Sequence, residues 1–215
     1  MKRIQMKEMK GVVALAAVLA ACGDSNGSSS SSASVTGSIS GQTLNAQEAL
    51  SMLITSGGTC VRPFGGLTNA AGALIWISDH SGTCGLNAAT CSVQANALTL
   101  AIVPWVAVTS GTPPALTPGT FAVNLQPGPV SGTATGAFAQ AFATGAACGL
   151  AAGPTATAGS VTLISVNGST LNGSFDLTLS DGSTVSGSFS TVNCSVNTAP
   201  ICTETLDCTG ALQCV

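Results

Sequence analysis

The chain contains one histidine, His80, so any Ser/His/Asp or Cys/His mechanism must run through it. Asp79 precedes it, but consecutive residues of an extended strand point to opposite faces, and adjacency alone does not make a dyad. No G-x-S-x-G nucleophile elbow occurs. Glycoside hydrolysis needs two facing carboxylates. The acids to consider are Glu48, Asp79, Asp176, Asp181, Glu204 and Asp207, and only Asp79 with Asp176 lacks a simpler reading. Glu48 reads as a helix cap, Asp181 as a turn residue, and Glu204 and Asp207 lie between cysteines. His80, Cys84 and Cys91 are the residues that zinc would take, yet there is no paired C-x-x-C knuckle. Calcium would need a D-x-D-x-D-G loop, and nucleotides a Walker A or strand-flanked G-x-G-x-x-G segment; neither occurs. Trp76 and Trp105 could form a stacking platform for a sugar or peptide, but both sit inside apolar runs and read as core. No catalytic residue, metal or cofactor is therefore expected.

Nine cysteines are present. Cys22 stands apart near the amino terminus, which leaves Cys60, Cys84, Cys91, Cys148, Cys194, Cys202, Cys208 and Cys214, an even set. In an exported chain an even set reads as a disulfide framework. Eight cysteines allow 105 pairings. The one local suggestion is that Cys84 and Cys91 close the loop between them.

The setting of Cys22 explains why it stands apart. Lys2, Arg3, Lys7 and Lys10 form a positive region, Gly11 to Ala20 an apolar stretch too short to span a bilayer, and Leu19-Ala20-Ala21-Cys22 closes it. This run resembles a bacterial lipobox. The resemblance implies removal of residues 1–21, acylation of Cys22 with palmitate-type chains, and attachment to the membrane through that lipid. Gly23 follows the cysteine, whereas aspartate there is associated with retention in the inner membrane, so the outer membrane or cell surface is the favoured location.

Residues 22–215 keep Arg62 as their one basic side chain against seven acids. Such a chain has no patch able to release counterions from a phosphate backbone, which excludes nucleic acid as a partner. Charged residues make up 6% of the sequence and hydrophobic ones 45%, a balance opposed to that of disordered chains. Solvation of the surface then rests on hydroxyls and amides.

Residues 22–34, with an unbroken serine run from Ser28 to Ser32, read as the lipidated cysteine and a flexible stalk. Residues 35–215 read as one β-rich domain stapled by disulfides, with a cysteine-rich tail. Asn45-Ala46-Gln47-Glu48 has the form of a helix start, and Ala46, Ala49, Leu50, Leu53 and Ile54 recur at spacings of three and four before Gly57-Gly58. One short helix is expected there. Beyond it the signals become short apolar runs: Leu74 to Ile77, Leu98 to Val103, Trp105 to Val108 and Phe121 to Leu125. Pro104, between two of these runs, suggests an edge strand or a bulge. Thr112-Pro113-Pro114 and Thr117-Pro118-Gly119 mark an irregular loop. From Ser131 to Ser160 small residues dominate, and helix and strand both fit Phe138 and Phe142.

From Val161 to Cys194, turns at Asn167-Gly168 and at Ser180-Asp181-Gly182-Ser183 separate three alternating runs, the pattern of a β-meander. The phrases Asn172-Gly173-Ser174-Phe175 and Ser186-Gly187-Ser188-Phe189 lie on neighbouring strands of it. The expected fold is mainly β, an antiparallel β-sandwich or barrel-like domain with one short N-terminal helix. The sequence is also similar to a group of myxobacterial surface lipoproteins that join a lipobox and Ser/Gly stalk to a β-rich domain. The shared phrases are Ile77-Ser78-Asp79 with Cys84, Pro118-Gly119-Thr120-Phe121, Gly173 to Leu177, and Gly187 to Ser190 with Cys194. The tail from Thr198 onward departs from that pattern, and the resemblance implies no activity. The expected role is a noncatalytic envelope lipoprotein, structural, adhesive or binding an envelope protein or glycan. The alternative is a lipid-anchored hydrolase or carbohydrate-binding enzyme using Asp79, His80 or Asp176.

Overall fold

A computed structural model describes residues 31–55, 70–81, 97–123, 132–144, 150–168 and 170–193. All nine cysteines, residues 22–30 of the expected stalk and the acids Glu204 and Asp207 lie outside these residues, as do the expected disulfides and the Cys84–Cys91 suggestion; the last residues assigned to the stalk, Ser32–Ser34, are instead the start of a strand paired with Ser188–Ser190.

Ten strands are formed: β1 (Ser32–Gly37), β2 (Glu48–Thr55), β3 (Ala70–Ser78), β4 (Leu98–Val108), β5 (Gly119–Ala122), β6 (Thr133–Thr144), β7 (Leu150–Asn167), β8 (Thr170–Leu179), β9 (Thr184–Ser190) and β10 (Val192–Asn193). They make one sheet in the order β1-β9-β8-β7-β6-β4-β3-β2-β10, with β5 paired to β7. The protein is thus mainly β, and the sheet curls into a half-barrel instead of splitting into two stacked layers.

Alternation drives the curl. In β8, Leu171, Phe175, Leu177 and Leu179 are buried on one face while Asp176 is exposed on the other. Val161 and Leu163 of β7 and Val185 and Phe189 of β9 continue the same inner face. From the other half of the sheet, Ile75, Ile77, Leu100 and Ile102 join them in one core.

β7 is long enough to serve both halves, and it bends to do so. Its first residues pair with β6 and its later ones with β5 and β8. At the bend the register with β8 shifts between Ala156 and Ala158, and Gly159 takes a φ of 110°. A Cβ there would stand 2.0 Å from the Asp176 carbonyl oxygen, so both the conformation and the space demand glycine.

The far ends of the sheet are joined by the chain itself. β9 passes through Thr191 into β10, which runs parallel to β2. Thr191 is buried; its N–H donates to the Leu171 carbonyl at 2.8 Å, and its Oγ1 accepts from the Leu171 N–H at 2.8 Å. The same hydroxyl lies 2.6 Å from Ser51 Oγ on β2.

Two expectations need correction, and one open alternative is decided. The span expected to hold a helix is strand β2: Ala49 faces the core opposite Ile77, while Leu50 faces outward opposite Trp76. Apolar residues on both faces of one strand imitate helical spacing. No helix occurs among the described residues. Pro104 lies on neither an edge nor a bulge but inside β4, between β3 and β6. Its pairing with Ala137 of β6 is kept, while the ladder to β3 skips Val103 and Pro104 without changing register, so the missing N–H costs rungs on one side only. The ambiguous region from Ser131 to Ser160 supplies β6 and the first part of β7, with Phe138 and Phe142 on one face of β6.

Candidate functional site

β3 ends at Ser78, and the chain turns immediately afterwards. Because Asp79 and His80 are past the strand, the opposite-face rule no longer applies. His80 Nδ1 lies 2.7 Å from Asp79 Oδ1, a pairing that the sequence argument had set aside. Asp79 Oδ1 also accepts the Leu98 N–H at 2.9 Å, and the Asp79 N–H donates to the Leu98 carbonyl at 3.1 Å. The His80 N–H donates to Ser78 Oγ at 3.1 Å. The carboxylate thereby fastens the start of β4 to the end of β3 and holds the ring with Nε2 as its remaining nitrogen. This orients a base, but a hydrolase also needs a nucleophile or a second carboxylate. Asp176 sits on β8, with β4, β6 and β7 between it and β3. The glycosidase pair expected as the alternative is therefore not assembled.

The other acids have local roles. Asp181 lies in the β8–β9 turn, where Oδ2 accepts from Ser40 N at 3.1 Å and from Ser40 Oγ at 2.8 Å. Oδ1 accepts from the Ser183 N–H at 3.0 Å and from the Ser183 hydroxyl. These donors, Ser183 first, hold the Asp181 carboxyl at about 2, below its ordinary 3.8. Ser40 takes a φ of 49° to reach it. Glu48 opens β2 opposite Ser78. Among the described residues no three His, Cys, Asp or Glu side chains gather to hold a metal.

Both tryptophans lie on the outer face of the β3–β4–β6 half. Trp105 is buried as expected, at 1% exposure, whereas Trp76 is half-buried and stacks on Phe142 with ring centroids 5.8 Å apart.

β5 and the first residues of β6 diverge from a parallel bridge between Val123 and Ala137. The opening is a cleft of about 330 Å³ with Val106, Leu116 and Phe121 at its base and Thr117, Thr120 and Thr133 at its rim. No titratable side chain is among the described residues that line it.

The outer face of the other half is a grid of hydroxyls. Ser34, Ser188, Ser174, Thr162 and Thr120 form one row across five strands, and Thr36, Ser186, Asp176 and Ser160 another. Ser34 meets Ser188 at 3.0 Å and Thr120 meets Thr162 at 3.1 Å. This is where a chain so poor in charge meets water. Asp176, one exposed charge within the grid, was legible as a solvent-facing residue from its alternation with Phe175 and Leu177; the grid itself depends on register and was not.

The chain matches no protein family, no curated protein and no solved structure in the comparisons made. Fold and site together define a class: a single curled β-sheet with a hydroxyl-covered outer face, one oriented imidazole–carboxylate pair, and no assembled catalytic group among the described residues.

Proposed function

We propose that this chain is a lipid-anchored protein of the cell envelope whose β-domain works by binding or scaffolding without catalysis, held at the outer membrane or cell surface through Cys22. The observation that carries the reading is the dispersal of reactive groups. Asp79 and His80 are engaged in a strand-end clip, Asp176 stands on a distant hydroxyl face, Asp181 clamps a turn, and the cleft between β5 and β6 has no titratable lining among the described residues. A lipid-tethered hydrolase would need these groups to converge. The hydroxyl face offers an uncharged partner, a glycan or another envelope protein, both donors and acceptors, and the stalk would present it away from the bilayer.

The test uses the full chain expressed in a bacterium that acylates lipoproteins. Incorporation of a labelled fatty acid is expected and should vanish in Cys22→Ala. Turnover of a panel of ester and glycoside substrates should be indistinguishable between the parent and His80→Gln. Turnover that His80→Gln abolishes would establish the hydrolase instead, and labelling that survives Cys22→Ala would remove the anchor.

A further inference from the structure

The sequence carries the same tripeptide twice around the β7–β8 turn: Asn167-Gly168-Ser169 where β7 ends, and Asn172-Gly173-Ser174 within β8. An asparagine followed by glycine is able to react with its own chain. The glycine amide nitrogen attacks the side-chain Cγ of the asparagine, and glycine, with no Cβ, neither blocks that approach nor resists the backbone rotation it needs. Aspartate before glycine follows the same course when its carboxyl is free, and Asp181-Gly182 is such a step. Local sequence does not separate the two asparagines, so the fold decides which of them reacts.

Asn172-Gly173 is locked. β8 is an interior strand, and Gly173 stands opposite Leu163 of β7 on one side and Phe189 of β9 on the other, so its backbone is held in ladders at both edges. A Cβ on Gly173 would stand 2.2 Å from the Thr162 carbonyl oxygen and 2.7 Å from the Phe189 ring, which leaves no room for the backbone to turn. Asn172 is half-buried, and its Nδ2 donates to Ser165 Oγ at 2.8 Å. Asp181-Gly182 is also locked. Both carboxylate oxygens accept from Ser40 or Ser183, and the Gly182 N–H donates to the Leu179 carbonyl at 2.9 Å. Asn167-Gly168 is the exception. Both residues are exposed at the hairpin tip, where Asn167 forms the last pair of the ladder, with Thr170. Among the described residues neither the Asn167 side chain nor the Gly168 N–H has a hydrogen-bond partner. Gly168 takes a φ of 59°, and a side chain built on it would enter open space.

We infer that Asn167 is a site of spontaneous covalent self-modification, at which the folded chain converts its side-chain amide to a carboxylate while Asn172 and Asp181 are protected. The Gly168 nitrogen bonds to Asn167 Cγ, the Cγ–Nδ2 bond breaks, and ammonia leaves with the proton that the Gly168 amide gives up, closing a succinimide ring. Water then opens the ring at either carbonyl. Opening at the main-chain carbonyl yields isoaspartate, and opening at Cγ yields aspartate; water is the one co-reactant, and nothing is oxidised or reduced. Each product adds a negative charge to the hairpin tip. Isoaspartate also inserts a methylene into the main chain at the Asn167 and Thr170 pair, so that pair is lost, while the next pair, Val166 with Leu171, is held by the complete burial of Leu171. The inference depends on neither the lipid anchor nor the binding reading.

The identical tripeptides make the test internal to one protein. The full chain is aged in mildly alkaline buffer, once folded and once unfolded in urea. Its peptides are then separated by mass spectrometry, with electron-transfer fragmentation to tell isoaspartate from aspartate. In the folded protein the Asn167 peptide should convert, with isoaspartate as a product, more than an order of magnitude faster than the Asn172 peptide, and isoaspartate should not form at Asp181. In urea the two asparagines should convert at similar rates, because only the fold distinguishes them. Conversion of Asn172 in the folded protein at the rate of Asn167 would overturn the inference. An Asn167 that stays intact when folded but converts in urea would overturn it equally, since the hairpin would then protect the step it is inferred to leave open.

Discussion

Each ring of the Phe175–Phe189 pair covers the glycine opposite it. Gly173 faces Phe189 and Gly187 faces Phe175 across the β8–β9 ladder, and the two rings stack at 6.5 Å. A Cβ on Gly187 would stand 2.8 Å from the Phe175 ring and 2.0 Å from the Ser34 carbonyl oxygen. The two copies of the Gly-Ser-Phe phrase are therefore one reciprocal lock in an antiparallel pair, with each aromatic ring shielding a backbone that glycine leaves open. Phe175→Ala should lower unfolding free energy by about 3–5 kcal/mol in urea titration. Gly187→Ala should also destabilise, even though alanine is the stiffer residue in an exposed strand. Asp181 yields a pH effect of defined sign. Its folded pKa is depressed, so the clasp to Ser40 and Ser183 is fully present above 3.8 and is lost as pH falls toward about 2. The amide resonances of Ser40 and Ser183 should titrate together over that range, and Asp181→Asn should abolish the titration.

The join between β9 and β2 depends on one side chain. Thr191 bonds both the N–H and the carbonyl of Leu171 and meets Ser51, all out of contact with water. Thr191→Val keeps the shape but strands those polar groups, and should cost about 1–3 kcal/mol in chemical denaturation. Thr191→Ser should recover most of it. This join explains why β2 was hard to read. Ser51 breaks an apolar alternation because its partner lies 140 residues away, and Ala49, Leu50 and Leu53 then fall at helical spacing on a strand that is apolar on both faces. The meander was legible because β7, β8 and β9 have one wet face, which stamps a period of two on the sequence. β4 has two dry faces and Pro104 within it, so it read as two runs split at an edge. The Asp79–His80 contact was illegible because it depends on where β3 stops, and strand ends are set by the ladder to β4 as much as by local residues.

At the scale of the molecule, the described sheet and the cysteines of the sequence answer different questions. The sheet supplies a continuous core, and the eight cysteines other than Cys22 all fall outside the described residues. We expect four bridges among them: no thiol of the exported protein should react with an alkylating reagent before reduction, and eight should react afterwards. Free thiols in the folded, unreduced protein would return Cys84 and Cys91, with His80, to consideration as a reactive or metal-holding group. The lipid tether remains the claim on which the envelope reading turns. Its most direct measurement is the intact mass of the protein extracted from membranes, together with the mass of its amino-terminal peptide. The account predicts a chain that begins at Cys22 and carries the added mass of its acyl groups. A chain that retains residues 1–21, or that begins elsewhere without lipid, would contradict it.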